Sequence, residues 1–156
     1  MTISEKRLQE LNDHLMLTFT GFQRFAADVE KDKIKNISTN FDSLKSMARF
    51  TEQAVNILGS DTDICEFGGL LNDNWRLKKS LSDKVSNQSI DDIYELGLKN
   101  GAIGGKLLGA GGGGFMLFFV KPENRGQLKK SLKDYLHVPF HFDKTGSQVI
   151  YFRGEE

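Results

Sequence analysis

Eight of the chain's 16 glycines fall in one stretch, Gly101-Ala-Ile-Gly-Gly-Lys-Leu-Leu-Gly-Ala-Gly-Gly-Gly-Gly114. A backbone without Cβ atoms can approach another object closely, and it can turn successive N–H groups onto an anion. The object is either a phosphate or a neighbouring backbone. The second alternative is a tight bend where chain segments pack without side chains between them, since glycine next to a strand needs a reason. The spacing excludes two other phosphate loops. No Gly-Lys-Ser/Thr closes the stretch as in a P-loop, and a strand follows it where a dinucleotide fingerprint would have a helix. Gly109, Ala110, Gly111, Gly112, Gly113 and Gly114 are therefore expected to form a tight turn with at least one glycine at positive φ.

A second place for chemistry is Thr20-Gly21-Phe22-Gln23-Arg24, where a strand pattern becomes a helix pattern. Thr20 can cap, Gly21 exposes backbone N–H groups, and Arg24 lies one turn in. A helix N-terminus with an added guanidinium fork suits an anion; the alternative is a plain cap beside a solvated arginine. Lys106, inside the glycine stretch, can reach a phosphate or snorkel along a strand edge. Arg76, Lys78 and Lys79 read as a solvated basic helix end that the helix dipole favours, and Trp75 as core or interface. His14, His137 and His141 lack metal-ligand spacing. Cys65 reads as packing, and Asp61 and Asp63 as capping residues rather than a catalytic pair. No catalytic residue and no metal ligand is assigned.

The elements that must position these groups follow from periodicity. Glu5 to Asn12 reads as a short helix with Leu8 and Leu11 on one side. In His14 to Thr20, Leu15, Leu17 and Phe19 alternate with Met16 and Thr18, a strand. Phe22, Phe25, Ala26 and Val29, continuing toward Lys33 to Ile37, recur at helical spacing. Asp42 or Ser43 caps a second helix to about Leu58, with a stripe of Leu44, Met47, Ala48, Thr51, Ala54, Val55 and Leu58 and a stop at Gly59. A third, from Asp61 to Asp63 onward, turns Ile64, Phe67, Leu71 and Trp75 inward. Ser80 to Gln88 is a polar loop, and Ser89 with Asp92 resembles a capping box for a helix from Ile90 to Lys99. Phe115 to Val120 is uniformly apolar, the mark of a buried strand. Pro122 suits the first turn of a helix carrying Leu128, Leu132, Tyr135 and Leu136. Val138, Phe140 and Phe142 alternate in a strand, and Gln148 to Phe152 returns as its hairpin partner. The order implies α+β: a ferredoxin-like antiparallel four-stranded sheet with helices packed on one face.

The 156 residues form one expected domain, 1–156. Lys and Arg (21) balance Asp and Glu (21), which argues against a broad nucleic-acid or anionic-membrane footprint. One cysteine excludes an intrachain disulfide and a cysteine zinc site. No apolar run approaches a membrane span of about 20 residues, and MTISEKRLQE has no signal core. A soluble, cytoplasmic chain is expected.

GAIGGKLLGAGGGGFMLFFV resembles the third conserved motif of the GHMP kinase superfamily, the galactokinase, homoserine kinase, mevalonate kinase and phosphomevalonate kinase group. LMLTFTGFQRFA, FGGLLNDNWRLKKSLS and VSNQ followed by IDDIYEL resemble its sugar-phosphate kinases of the D-glycero-D-manno-heptose 7-phosphate kinase type, with fucokinase-like members similar there. The resemblance spans about Leu8 to Phe152. It implies a two-domain kinase that phosphorylates an anomeric oxygen with ATP and Mg2+. The Gly-Leu-Gly-Ser-Ser loop that wraps the nucleotide phosphates is not in this sequence, so the chain resembles the C-terminal domain, with the N-terminal nucleotide-binding domain absent or on a separate chain. The resemblance implies that Gly109 to Gly114 line and support the phosphate site and that Thr20, Gly21, Arg24 and Lys106 face a sugar phosphate. ATP and Mg2+ are expected in the complete enzyme and not tightly on this chain alone. A homodimer is a further possible partner state. The alternative is a free-standing, non-catalytic ligand-binding or assembly module.

Overall fold

The structure is a computed structural model and describes residues 3–22, 31, 34, 36–143, 147 and 149–151. Helix α1 (Glu5–His14) starts at Ser4, whose side chain accepts from the Arg7 amide, and runs directly into strand β1 (Leu15–Phe19). Helices α2 (Phe41–Gly59), α3 (Cys65–Ser80) and α4 (Gln88–Lys99) follow. Strands β2 (Ala102–Leu107) and β3 (Phe115–Val120) form a hairpin. A 3-10 turn at Pro122–Asn124 leads into α5 (Arg125–Ser131), and β4 (His137–Val138) ends the regular structure. The sheet order is β2-β3-β1-β4 with antiparallel neighbours, the ferredoxin-like arrangement. No helix among the described residues is long and apolar enough to cross a membrane.

The apolar run of β3 is explained by burial on both sides. Met116, Phe118 and Val120 join Met16, Trp75, Ile90, Ile93, Tyr94, Leu128 and Leu132 in the main core, under α4, α5 and the second half of α3. Phe119 points the other way, into a smaller cluster with Leu11, Leu15 and Ile64. Each fully buried large apolar side chain contributes about 1.5–3 kcal/mol, so Phe118 and Phe119 together anchor both layers to one strand.

Several elements differ from the sequence reading. The first half of the glycine stretch is itself a strand, β2, with a register shift between Ala102 and Gly104. Its glycines are there because of close approach: a Cβ on Gly104 would overlap the Gly68 carbonyl oxygen of α3, and one on Gly105 would lie 2.5 Å from the Leu117 carbonyl oxygen. The strand expected through Val138, Phe140 and Phe142 stops at Val138, and Val149, Ile150 and Tyr151 are highly exposed and unpaired into a strand. The fourth strand of the sheet is therefore β2, not a C-terminal hairpin partner. Helix α2 buries Ile57 while Leu44 and Val55, placed on its inner stripe, are exposed. Its N-cap is Asn40, whose side chain donates to the Leu81 carbonyl. The cap of α4 is Asn87, which accepts from the Ile90 amide, rather than Ser89. Leu136, expected inward, is exposed past the end of α5. The helix expected from Phe22 to Ile37 lies largely outside the described residues.

Candidate functional site at the glycine turn

The hairpin connection from Leu108 to Gly114 carries four glycines in the left-handed region: Gly109 at φ +71°, Gly111 at +122°, Gly112 at +76° and Gly114 at +103°. Side chains with a Cβ rarely adopt that conformation. Two positions also lack room. A Cβ on Gly111 would lie 2.8 Å from Val85 Cα, and one on Gly113 would lie 2.7 Å from the Phe22 carbonyl oxygen. The turn is bonded to both neighbours. Gly112 N–H donates to the Val85 carbonyl and Gly114 N–H to the Phe22 carbonyl, each at 2.8 Å. The Thr20 amide and hydroxyl both donate to the Gly114 carbonyl at 2.9 Å. Thr20 is fully inside, and Gly21 sits beside it at φ +81° with open space where a Cβ would be.

The structure thus brings Thr20, Gly21 and Gly109 to Gly114 together at one end of the sheet. Lys106 stands elsewhere: it lies on edge strand β2, and its ammonium donates to Asn74 Oδ1 of α3 at 2.8 Å. Burial pushes its pKa below the usual lysine value. Arg24 lies outside the described residues.

The residue that the sequence reading missed is Lys78. It was placed in a solvated basic helix end with Arg76 and Lys79, yet only 6% of it is exposed. Its ammonium donates to the Leu107 carbonyl at 2.8 Å and the Gly109 carbonyl at 2.6 Å, across the opening of the glycine turn. The signal was present in the spacing: Lys78 follows the inward Trp75 by three residues, which puts both on one helix face. Lys79 forms a half-buried ion pair with Asp91 at 3.0 Å, and Ser86 donates to the same carboxylate oxygen. These contacts tie the 81–87 loop, which carries Val85, to α3 and α4.

Trp75 is fully buried and packs at a tilt on Tyr94, whose hydroxyl donates to Asn72 Oδ1 at 2.5 Å. Burial raises the Tyr94 phenol to about 12. Asp63 accepts from the Cys65 amide, as a cap does, and that bond lowers its pKa. Among the described residues no group of three or more His, Cys, Asp or Glu could hold a metal ion. What this site offers is positioning: a fixed backbone turn with an ammonium beneath it.

The family model for the GHMP kinases C-terminal region matches residues 60–138, from the start of α3 to the last strand. The chain is 37% identical over 88% of its length to a D-glycero-alpha-D-manno-heptose 7-phosphate kinase of Campylobacter jejuni, and covers 41% of that protein. It is 30% identical over 85% of its length to the bifunctional fucokinase/GDP-fucose pyrophosphorylase of Arabidopsis thaliana, of which it covers 13%. The crystal structure of the Methanococcus jannaschii mevalonate kinase superposes on 88% of this chain and 42% of that one, with a TM-score of 0.70 and 25% identity. The chain therefore spans less than half the length of these relatives. The matched segment runs from α3, which supplies Lys78, through the glycine turn to β4, and by that match the chain belongs to the GHMP kinase family, as its C-terminal domain type.

Proposed function

We propose that this chain is the C-terminal half of an ATP-dependent sugar-phosphate kinase that phosphorylates the anomeric hydroxyl of a heptose 7-phosphate or a similar sugar. The observation that carries the reading is the glycine turn, a backbone held from three sides by Thr20, Val85 and Lys78, in a chain 37% identical to a heptose 7-phosphate kinase. Phosphoryl transfer asks little covalent chemistry of a protein and depends on positioning and electrostatic stabilisation. When bound in the complete enzyme, ATP with Mg2+ supplies the phosphoryl group. Gly109 to Gly114 support the phosphate side, while Thr20, Gly21 and Arg24 hold the sugar phosphate. Lys106, bonded to Asn74, contributes through the edge of β2. Exposed Phe22 and Phe115 flank the turn, an apolar rim that suits coverage by the nucleotide-binding half.

The test is calorimetry with a sugar 7-phosphate. Arg24→Ala weakens binding by about 1.5–3 kcal/mol, the scale of a charge-assisted hydrogen bond. Equal affinity in the two proteins removes Arg24 from the site, and no affinity in the unaltered chain favours the non-catalytic module.

A further inference from the structure

The Lys78 ammonium bridges the carbonyls on either side of Leu108, those of Leu107 and Gly109. It sits between the last turn of α3 and the first residues of the glycine turn, 6% exposed and 6.0 Å from the Trp75 ring centre. A buried ammonium needs such partners, because burial strips away the water that would otherwise solvate its charge. The arrangement has a geometric consequence. In a trans peptide the C=O and the following N–H point in opposite directions, and no peptide bond of the described residues is cis. With the Gly109 carbonyl drawn onto Lys78, the Ala110 N–H points away from it. Two amides further along the turn differ: Gly112 N–H and Gly114 N–H are committed to the Val85 and Phe22 carbonyls. The turn therefore has one fixed positive charge behind it, and the Ala110 amide faces away from that charge.

We propose that Lys78 is the positioning residue of the glycine turn: its ammonium, bonded to the Leu107 and Gly109 carbonyls, holds the Ala110 N–H outward toward an anionic phosphate oxygen. The anion part rests on the kinase reading; the positioning part does not. The fixed charge of this site then comes from a buried side chain of α3, not from Lys106, which Asn74 engages on the edge of the sheet. A lysine is suited to the task because a compact ammonium can serve two carbonyls at once.

The experiment uses the chain labelled with 15N, as the unaltered protein, Lys78→Met and Lys78→Arg. Amide hydrogen exchange reads the turn without any ligand. Lys78→Met is expected to speed exchange at Gly112 at least tenfold while leaving Phe118 in β3 and Ile93 in α4 within twofold. Lys78→Arg is expected to restore most of the protection. Titration with pyrophosphate then reads the anion part: the Ala110 resonance moves in the unaltered chain, and its shift falls at least fivefold in Lys78→Met. Unchanged exchange at Gly112, or protection lost evenly across β3 and α4, overturns the positioning role and makes Lys78 an ordinary core contact. A moved Gly112 with no pyrophosphate response in any of the three proteins overturns the phosphate assignment alone. If Lys78→Met does not fold, hydrogen-bond couplings between the Lys78 ammonium and the Leu107 and Gly109 carbonyl carbons decide the matter in the unaltered chain, and their absence overturns the proposal.

Discussion

Three glycine-to-alanine changes separate the two reasons for glycine in the turn. At Gly109 the backbone is left-handed (φ +71°) and nothing lies within 4 Å of an added Cβ, so alanine meets conformational strain only. That costs about 1–2 kcal/mol. At Gly113 no left-handed φ is involved, yet the Cβ falls 2.7 Å from the Phe22 carbonyl oxygen, so alanine meets overlap only. Overpacking of this kind costs about 1–3 kcal/mol. At Gly111 both apply, with φ +122° and Val85 Cα at 2.8 Å. The two contributions sum to about 2–5 kcal/mol. For a chain of this size, a loss of 1 kcal/mol lowers the melting midpoint by about 2–4 °C. Gly109→Ala is thus expected to melt about 2–8 °C below the unaltered chain and Gly111→Ala about 4–20 °C below it. Urea titrations with a common m-value would confirm that the folded state, and not the denatured one, has changed. Gly111→Ala within 0.5 kcal/mol of the unaltered chain, or no more costly than Gly109→Ala, would refute the argument that the turn is packed against Val85.

Tyr94→Phe removes the bond to Asn72 and is expected to cost about 1 kcal/mol in urea denaturation; the unaltered phenol, near 12, should not ionise in a spectrophotometric titration at pH 10.5 or below. His137 is held below its usual 6.5, chiefly by burial, so its neutral form favours the folded state. That stability is present above pH 6.5 and is lost as the pH falls through the lowered value. His137→Gln should flatten the fall in stability below pH 6.5, and identical pH profiles for the two proteins would remove His137 as its source.

Much of the sheet was legible because its signals were local. The run Phe115–Val120 has six apolar residues and two neighbours to cover them, and Asn100-Gly101 closes α4 with Gly101 at φ +100°. Strand β2 was hidden because Ala102 to Leu107 carries two glycines, which strands ordinarily avoid. Their reason lies in α3 and β3, whose backbones leave no space for side chains at Gly104 and Gly105. The opposite error came from Val149-Ile150-Tyr151, which has strand-forming side chains and no strand to pair with among the described residues. Strand propensity records the surface a segment could fit, and a neighbour must still be present. In the candidate site, the glycine turn and Thr20 were legible from residue type and placement. Lys78 was not, because a lysine at a helix end is read as solvated unless its phase to Trp75 is weighed against its charge.

The central claim, that this chain completes a sugar-phosphate kinase by holding and supporting the phosphate site, is tested most directly by transplantation. The chain replaces the matching segment, 41% of the length, of the Campylobacter jejuni heptose 7-phosphate kinase. The chimaera and the chain alone are then assayed with ATP, Mg2+ and heptose 7-phosphate. The account predicts phosphoryl transfer by the chimaera and none by the chain alone, whose affinity for ATP should be millimolar or weaker, about −4 kcal/mol or less favourable. Turnover by the chain alone, or a folded chimaera that binds ATP and transfers nothing, would contradict it.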